Sequence, residues 1–130
     1  MVDAGGIDRR EIGRAAEEAA AAFLEARQLK ILIRNYRCRT GEIDIVAETI
    51  DGVVVVAEVR LRASSAFGGG AASVDWRKQR RIHRAACHLL ARHPALARRA
   101  LRFDVLDLAP DGAAGYRIEW IRHAFEVGSR

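Results

Sequence analysis

Three acids carry the strongest chemical signal in this chain: Glu17, Asp44 and Glu58. Glu58 lies inside Val-Val-Val-Val-Ala-Glu-Val-Arg-Leu, the most β-prone stretch of the sequence. A central strand of that kind makes an uncompensated charge expensive to bury, so Glu58 needs a cation, a metal or a place at the strand end. The preceding strand, Glu42 to Glu48, supplies Asp44. A three-residue loop, Ile50-Asp51-Gly52, places glycine where such hairpins need a left-handed residue, pairs Thr49 with Val53 and sets Asp44 opposite Glu58. A two-residue loop, Asp51-Gly52, sets Asp44 against Val59 instead; the first register is preferred. Two adjacent carboxylates repel and raise one pKa unless a cation lies between them, and an all-oxygen set suits Mg²⁺ or Mn²⁺. The competing reading is a structural ion-pair network of Asp44 and Glu58 with Arg60 and Arg62.

The elements that must position these acids follow from periodicity. Arg9 to Gln28 is helical, with Ile12, Ala16, Ala19 and Phe23 at helical spacing. Glu17 shares a row with Gly13, Ala20 and Leu24, the inner side, so it leans toward the sheet; the alternative is an ordinary boundary residue. Strands are expected over Lys30–Tyr36, Glu42–Glu48 and Val53–Arg62, with Arg37–Gly41 a polar turn. Alternation groups Glu42, Asp44 and Val46 on one face, and Val54, Val56, Glu58, Arg60 and Arg62 on one face of the next strand. A loop over 64–73 contains Gly68-Gly69-Gly70 and reads as a flap; it lacks the Lys-Ser/Thr ending of a P-loop. A helix over 75–92, a helical turn from Pro94 to Arg99, and strands over 101–108 and 116–121 complete the order α-β-β-β-α-β-β. That order implies one α/β domain with a mixed central sheet of about five strands flanked by helices; residues 1–8 read as a tail.

Charge points to the partner. Lys and Arg number 22 against 17 Asp and Glu, a formal net charge of +5. Such a balance favours polyanions, because neutralising phosphates releases counterions. Arg77, Lys78, Arg80, Arg81 and Arg84 crowd the start of the second long helix, with Arg77, Arg81 and Arg84 along one row and Ile82, Ala86 and Leu89 as the core stripe. Together with Arg62 they are the expected phosphate contacts. Cys38 and Cys87 are isolated, which argues against a disulfide framework or zinc ribbon. No apolar run reaches signal-peptide or membrane-spanning length, so a cytoplasmic protein with no membrane partner is expected. Trp76 and Trp120 are read as core residues rather than base-stacking ones. His83 and Cys87, four apart, lack further ligands, and His88, His93 and His123 are assigned to the surface.

The segments Gly41-Glu42-Ile43-Asp44-Ile45-Val46-Ala47 and Val56-Ala57-Glu58-Val59-Arg60-Leu61-Arg62, then Phe67-Gly68, Val74, Lys78 through Arg81 and Arg102-Phe103-Asp104-Val105, closely resemble the YraN family of uncharacterised bacterial proteins. That family is similar to the restriction-endonuclease-like superfamily, near the archaeal Holliday-junction resolvases. The resemblance implies a metal-dependent endonuclease acting on DNA or RNA phosphodiesters, with Glu17 as the helix acid and Asp44 and Glu58 as metal-binding acids. It also implies Val59 as a backbone-carbonyl ligand, Gln79 at the site edge, and by analogy a homodimer. Arg60 stands at the usual lysine position. Arginine supplies charge there but stays protonated, so the alternative is a nucleic-acid-binding module that keeps the fold without cleaving.

Overall fold

A computed structural model describes residues 9–62, 74–112 and 115–126. Helix α1 (Arg9–Ala26) is followed by strands β1 (Lys30–Cys38), β2 (Gly41–Glu48) and β3 (Val54–Leu61). Helix α2 (Trp76–Arg92) and the short α3 (Pro94–Ala97) lead to β4 (Leu101–Asp111) and β5 (Gly115–Phe125). The strands form one mixed sheet in the order β1-β2-β3-β4-β5. Only β3 and β4 run parallel, because α2 carries the chain back across the sheet between them.

The two long helices cover opposite faces. The alanine-rich α1 buries Ala16, Ala20, Ala21 and Leu24 against Ile45, Ala47, Val55, Ala57, Leu106 and Leu108. Small side chains let this helix lie close to the sheet. Helix α2 buries Ile82, Ala85, Ala86 and Leu89 against Val46, Val54, Val56, Phe103 and Val105. Strands β2 and β3 are therefore buried on both faces, which is why they read as near-continuous apolar runs.

The element order is the one expected, with shifted boundaries. Helix α1 stops at Ala26, where Gln28 turns left-handed (φ 70°) and the Leu29 amide closes back on the Leu24 carbonyl. Strand β1 runs on to Cys38, which leaves a tighter turn than Arg37–Gly41. Strand β4 continues through Pro110 to Asp111, past the end of β3, where it has only β5 as a neighbour and proline's missing N–H is tolerated. Strand β5 extends to Phe125 by means of an irregularity opposite Asp104, with His123 at φ 51°. The expected glycine flap and N-terminal tail lie outside the described residues.

Candidate active site

The hairpin register is the preferred one. The Thr49 amide bonds the Val53 carbonyl at 3.0 Å, Gly52 has φ 92°, and the ladder runs from Glu48↔Val54 to Ile45↔Ala57. One step further stand Asp44 and Glu58. Here the strands fork. Counting in twos from Thr49–Val53, a regular ladder would give the Val59 N–H to the Ile43 carbonyl. Instead the Asp44 carboxylate takes it, Oδ2 lying 2.8 Å from the Val59 nitrogen.

The fork also breaks the strict alternation expected for β2. Ile43 joins Val46 in the α2-facing core, whereas Ile45 and Ala47 face α1. Asp44 sits at this switch, between the two layers. The turn before it is held against α2 by a close backbone approach. A Cβ on Gly41 would lie 2.6 Å from the Arg81 carbonyl oxygen, so only glycine fits.

Asp44 and Glu58 are both buried, at 9% and 7% exposure. The Asp44 pKa is pushed up to about 8, first by burial, then by the charge of Glu58, and also by a hydrogen bond with Glu58 and by the charge of Glu17 on α1. The Val59 amide pulls the other way, and does not win. At neutral pH Asp44 thus keeps its proton, which a divalent cation binding there would displace.

A lysine completes the pair from α2, on the face of the sheet opposite α1 and Glu17. Lys78 Nζ, on the first turn of α2, lies 2.5 Å from Glu58 Oε2. It is brought there by the helix start: Asp75 caps α2 by accepting the Lys78 amide at 2.9 Å. Arg60, near the end of β3, and Arg62, just beyond it, turn elsewhere. Arg62 Nε bonds Asp107 Oδ2 at 2.8 Å, and Arg60 Nε lies 3.8 Å from Asp107 Oδ1. Asp107 is the β4 residue in register with Arg60. The ion-pair network expected around Arg60 and Arg62 therefore centres on Asp107, while the cation on Glu58 is Lys78.

Lys78 also opens onto a basic cleft of about 410 Å³, lined by Arg37, Arg39, Gly41, Glu42, Lys78 and Arg81. A second cleft of about 570 Å³, lined by Asp75, Trp76, Arg77, Arg80, Arg81 and Arg84, adjoins it through Arg81.

The model of Uncharacterised protein family UPF0102 matches residues 16–108, which include Glu17, Asp44, Glu58 and Lys78. The chain belongs to this family. A UPF0102 protein of Halorhodospira halophila is 48% identical to it over 94% of this chain and 93% of its own length. One from Alcanivorax borkumensis is 44% identical over 90% and 93%, and one from Ralstonia nicotianae is 50% identical over 88% and 86%. Among solved structures, SfsA of Pyrococcus furiosus in complex with Ca²⁺ is similar at a TM-score of 0.33 and 15% identity, over 98% of this chain and 70% of that one. The family resemblance read from the sequence motifs points to this same uncharacterised family.

Of the residues named from sequence, Glu17, Asp44, Glu58 and Lys78 converge, and Val59 joins them through its amide. Gln79 does not: its side-chain amide donates to the Val74 carbonyl at 2.8 Å and braces the start of α2. Arg77, Arg80, Arg81 and Arg84 all line the second cleft. Trp120 is half-buried, edge-on to Phe23, with its Nε1 2.8 Å from Asp104. Trp76 is a correction to the core assignment: it is 61% exposed, because on α2 it lies off the stripe of Ile82, Ala85, Ala86 and Leu89 that packs on the sheet, in a row with Arg80. Arg37 and Arg39 were missed. They sit in the turn Arg-Cys-Arg-Thr-Gly, and only the close approach of Gly41 to α2 shows that this turn faces Lys78. Among the described residues, no three His, Cys, Asp or Glu side chains gather closely enough to hold a metal ion. Glu17 thus adds field at the site without closing a three-acid cage. No described helix is long and apolar enough to cross a membrane.

Proposed function

We propose that the chain is a metal-dependent endonuclease of nucleic-acid phosphodiesters, with its site in the fork between β2 and β3. One observation carries this reading. Two buried carboxylates from adjacent strands meet in the fork, beside a lysine that opens onto a basic cleft, and burial with the neighbouring acid holds Asp44 above the ordinary carboxylate range. Among the described residues Lys78 matches Glu58 alone, so the pair holds one more acid than cation, a cost that stability alone does not explain.

The donor set fits a small hard cation. Mg²⁺ and Mn²⁺ take oxygen ligands, and Mg²⁺ keeps several waters, so two carboxylates suffice. Asp44 and Glu58 would hold the ion, which when bound supplies an activated water and neutralises charge on the scissile phosphate. The Val59 amide fixes one oxygen of Asp44 and so orients the other. Glu17 keeps the field negative and favours cation entry. Lys78 bridges Glu58 and the cleft, where its ammonium meets the phosphate oxygens and takes the part assigned from sequence to Arg60. Arg37, Arg39 and Arg81 hold the flanking phosphates.

A second reading, a binding module that keeps the fold without cleaving, is favoured by the absence of a third ligand among the described residues. One experiment separates the two: incubation of branched and linear DNA and RNA with the chain in Mg²⁺ or Mn²⁺. Cleavage that disappears in the Asp44→Ala, Glu58→Ala double variant supports the nuclease. Binding of nucleic acid without cleavage, and without a Mn²⁺ site that Glu58→Gln weakens, supports the module. Cleavage unchanged in the double variant rules out this site.

A further inference from the structure

Trp76 is left without a task by the site above. Among the described residues it and Ile50 are the large hydrophobic side chains that remain exposed. Ile50 lies at the tip of the β2–β3 hairpin, whereas Trp76 stands on the wall of the larger basic cleft. The Arg80 guanidinium carbon lies 5.6 Å from its ring centroid, and Arg77, Arg81 and Arg84 line the same cleft. The acid of that cleft, Asp75, already accepts the Lys78 amide. Arg81 also lines the smaller cleft with Arg37, Arg39 and Lys78, and Lys78 touches Glu58. An indole ring, a run of guanidinium groups and the carboxylate fork thus lie along one surface.

We propose that this surface takes single-stranded nucleic acid, with Trp76 as the platform on which an unpaired base stacks. The inference rests on the reading that nucleic acid docks beside the fork, and it names the substrate class. Arginines alone suffice for the phosphates of a duplex, whose bases are stacked on one another and offer no face to a protein ring. An exposed indole among cations is used when bases are unstacked and their faces are available, whatever their sequence. The cation–π contact with Arg80 holds the ring on the cleft side without covering it.

The test uses the full chain in the presence of a chelator, so that binding is read without cleavage. Fluorescence anisotropy is measured for a labelled oligothymidylate and for a blunt hairpin duplex, with indole emission followed in parallel. Trp76→Ala is expected to weaken binding of the oligothymidylate about tenfold or more. Trp76→Phe should retain most of it, and duplex binding should change little in either variant. Quenching of indole emission by the oligothymidylate should disappear in Trp76→Ala. Equal losses on both nucleic acids, no loss on either, or wild type binding neither would overturn the proposal. The Asp44→Ala, Glu58→Ala double variant is expected to keep the preference for single strands. Failure of the cleavage reading and failure of this one are therefore told apart.

Discussion

Two buried aspartates, Asp44 and Asp104, solve the same problem in opposite ways. Asp104 is fully buried on β4 and fully partnered. Arg102 Nε lies 3.0 Å from Oδ1, Trp120 Nε1 2.8 Å from Oδ2, and the His123 amide 2.9 Å from Oδ1. Its charge has a cation, and the amide it accepts is the one freed where β5 leaves regular register. Asp44 is almost as buried, yet it has one amide and, beside it, another acid. The first carboxylate staples a sheet edge. The second carries repulsion that the fold tolerates, and such stored cost is the mark of a ligand site.

The two aspartates should respond to mutation in opposite ways. The largest effect is expected for Asp104→Ala, which strands the Arg102 guanidinium and two N–H donors. It should cost about 3–5 kcal/mol in urea denaturation. Next comes Gly41→Ala. Its methyl would meet the Arg81 carbonyl oxygen, backbone against backbone, and separate the β1–β2 turn from α2. A loss of about 1–3 kcal/mol is expected, together with weaker nucleic-acid binding, because the smaller cleft depends on that approach. Equal binding by Gly41→Ala and wild type would show that the cleft is not the docking surface.

Asp44→Asn should behave in the reverse sense to Asp104→Ala. The Asp44 pKa lies near 8 in the folded chain and at 3.8 in the reference state. Between these values the folded chain keeps a proton that the unfolded chain releases, so stability falls as pH rises through that window. Asparagine removes the penalty. The variant should be more stable than wild type by about 1–2 kcal/mol at pH 8 and equal to it near pH 4. A variant destabilised at both pH values would place Asp44 with Asp104, as a structural residue.

The sequence made half of this contrast legible. Asp51-Gly52 fixes a turn, the turn fixes a register, and the register puts Asp44 beside Glu58. Helical rows likewise turn Glu17 inward. What stayed hidden depends on the crossover through α2. No pattern within β3 reveals that β4 presents Asp107 to Arg60, or that α2 begins where Lys78 meets Glu58. Trp76 differs: it shares a helical row with Arg80 rather than with Ile82, Ala86 and Leu89, so its exposure follows from its position and not from its apolar character. The irregular extension of β5 was illegible because it depends on Asp104 accepting an amide from a residue 19 positions away.

Glu17→Gln is the finest test, and the smallest effect. Glu17 ranks last among the causes that raise the Asp44 pKa, behind burial and both contributions from Glu58. Removing its charge should lower the Asp44 pKa slightly. The pH at which Mn²⁺ displaces the proton should then fall, since cation binding requires the ionised carboxylate. At pH well above 8 the proton is gone, and only the direct attraction between Glu17 and the cation remains. There Glu17→Gln should bind Mn²⁺ more weakly than wild type. Mn²⁺ titrations across this range therefore give curves that converge or cross as pH falls. Parallel curves with a constant deficit would make Glu17 a ligand equal to Asp44 and Glu58. Coincident curves would remove it from the site and leave the fork to two acids and a lysine.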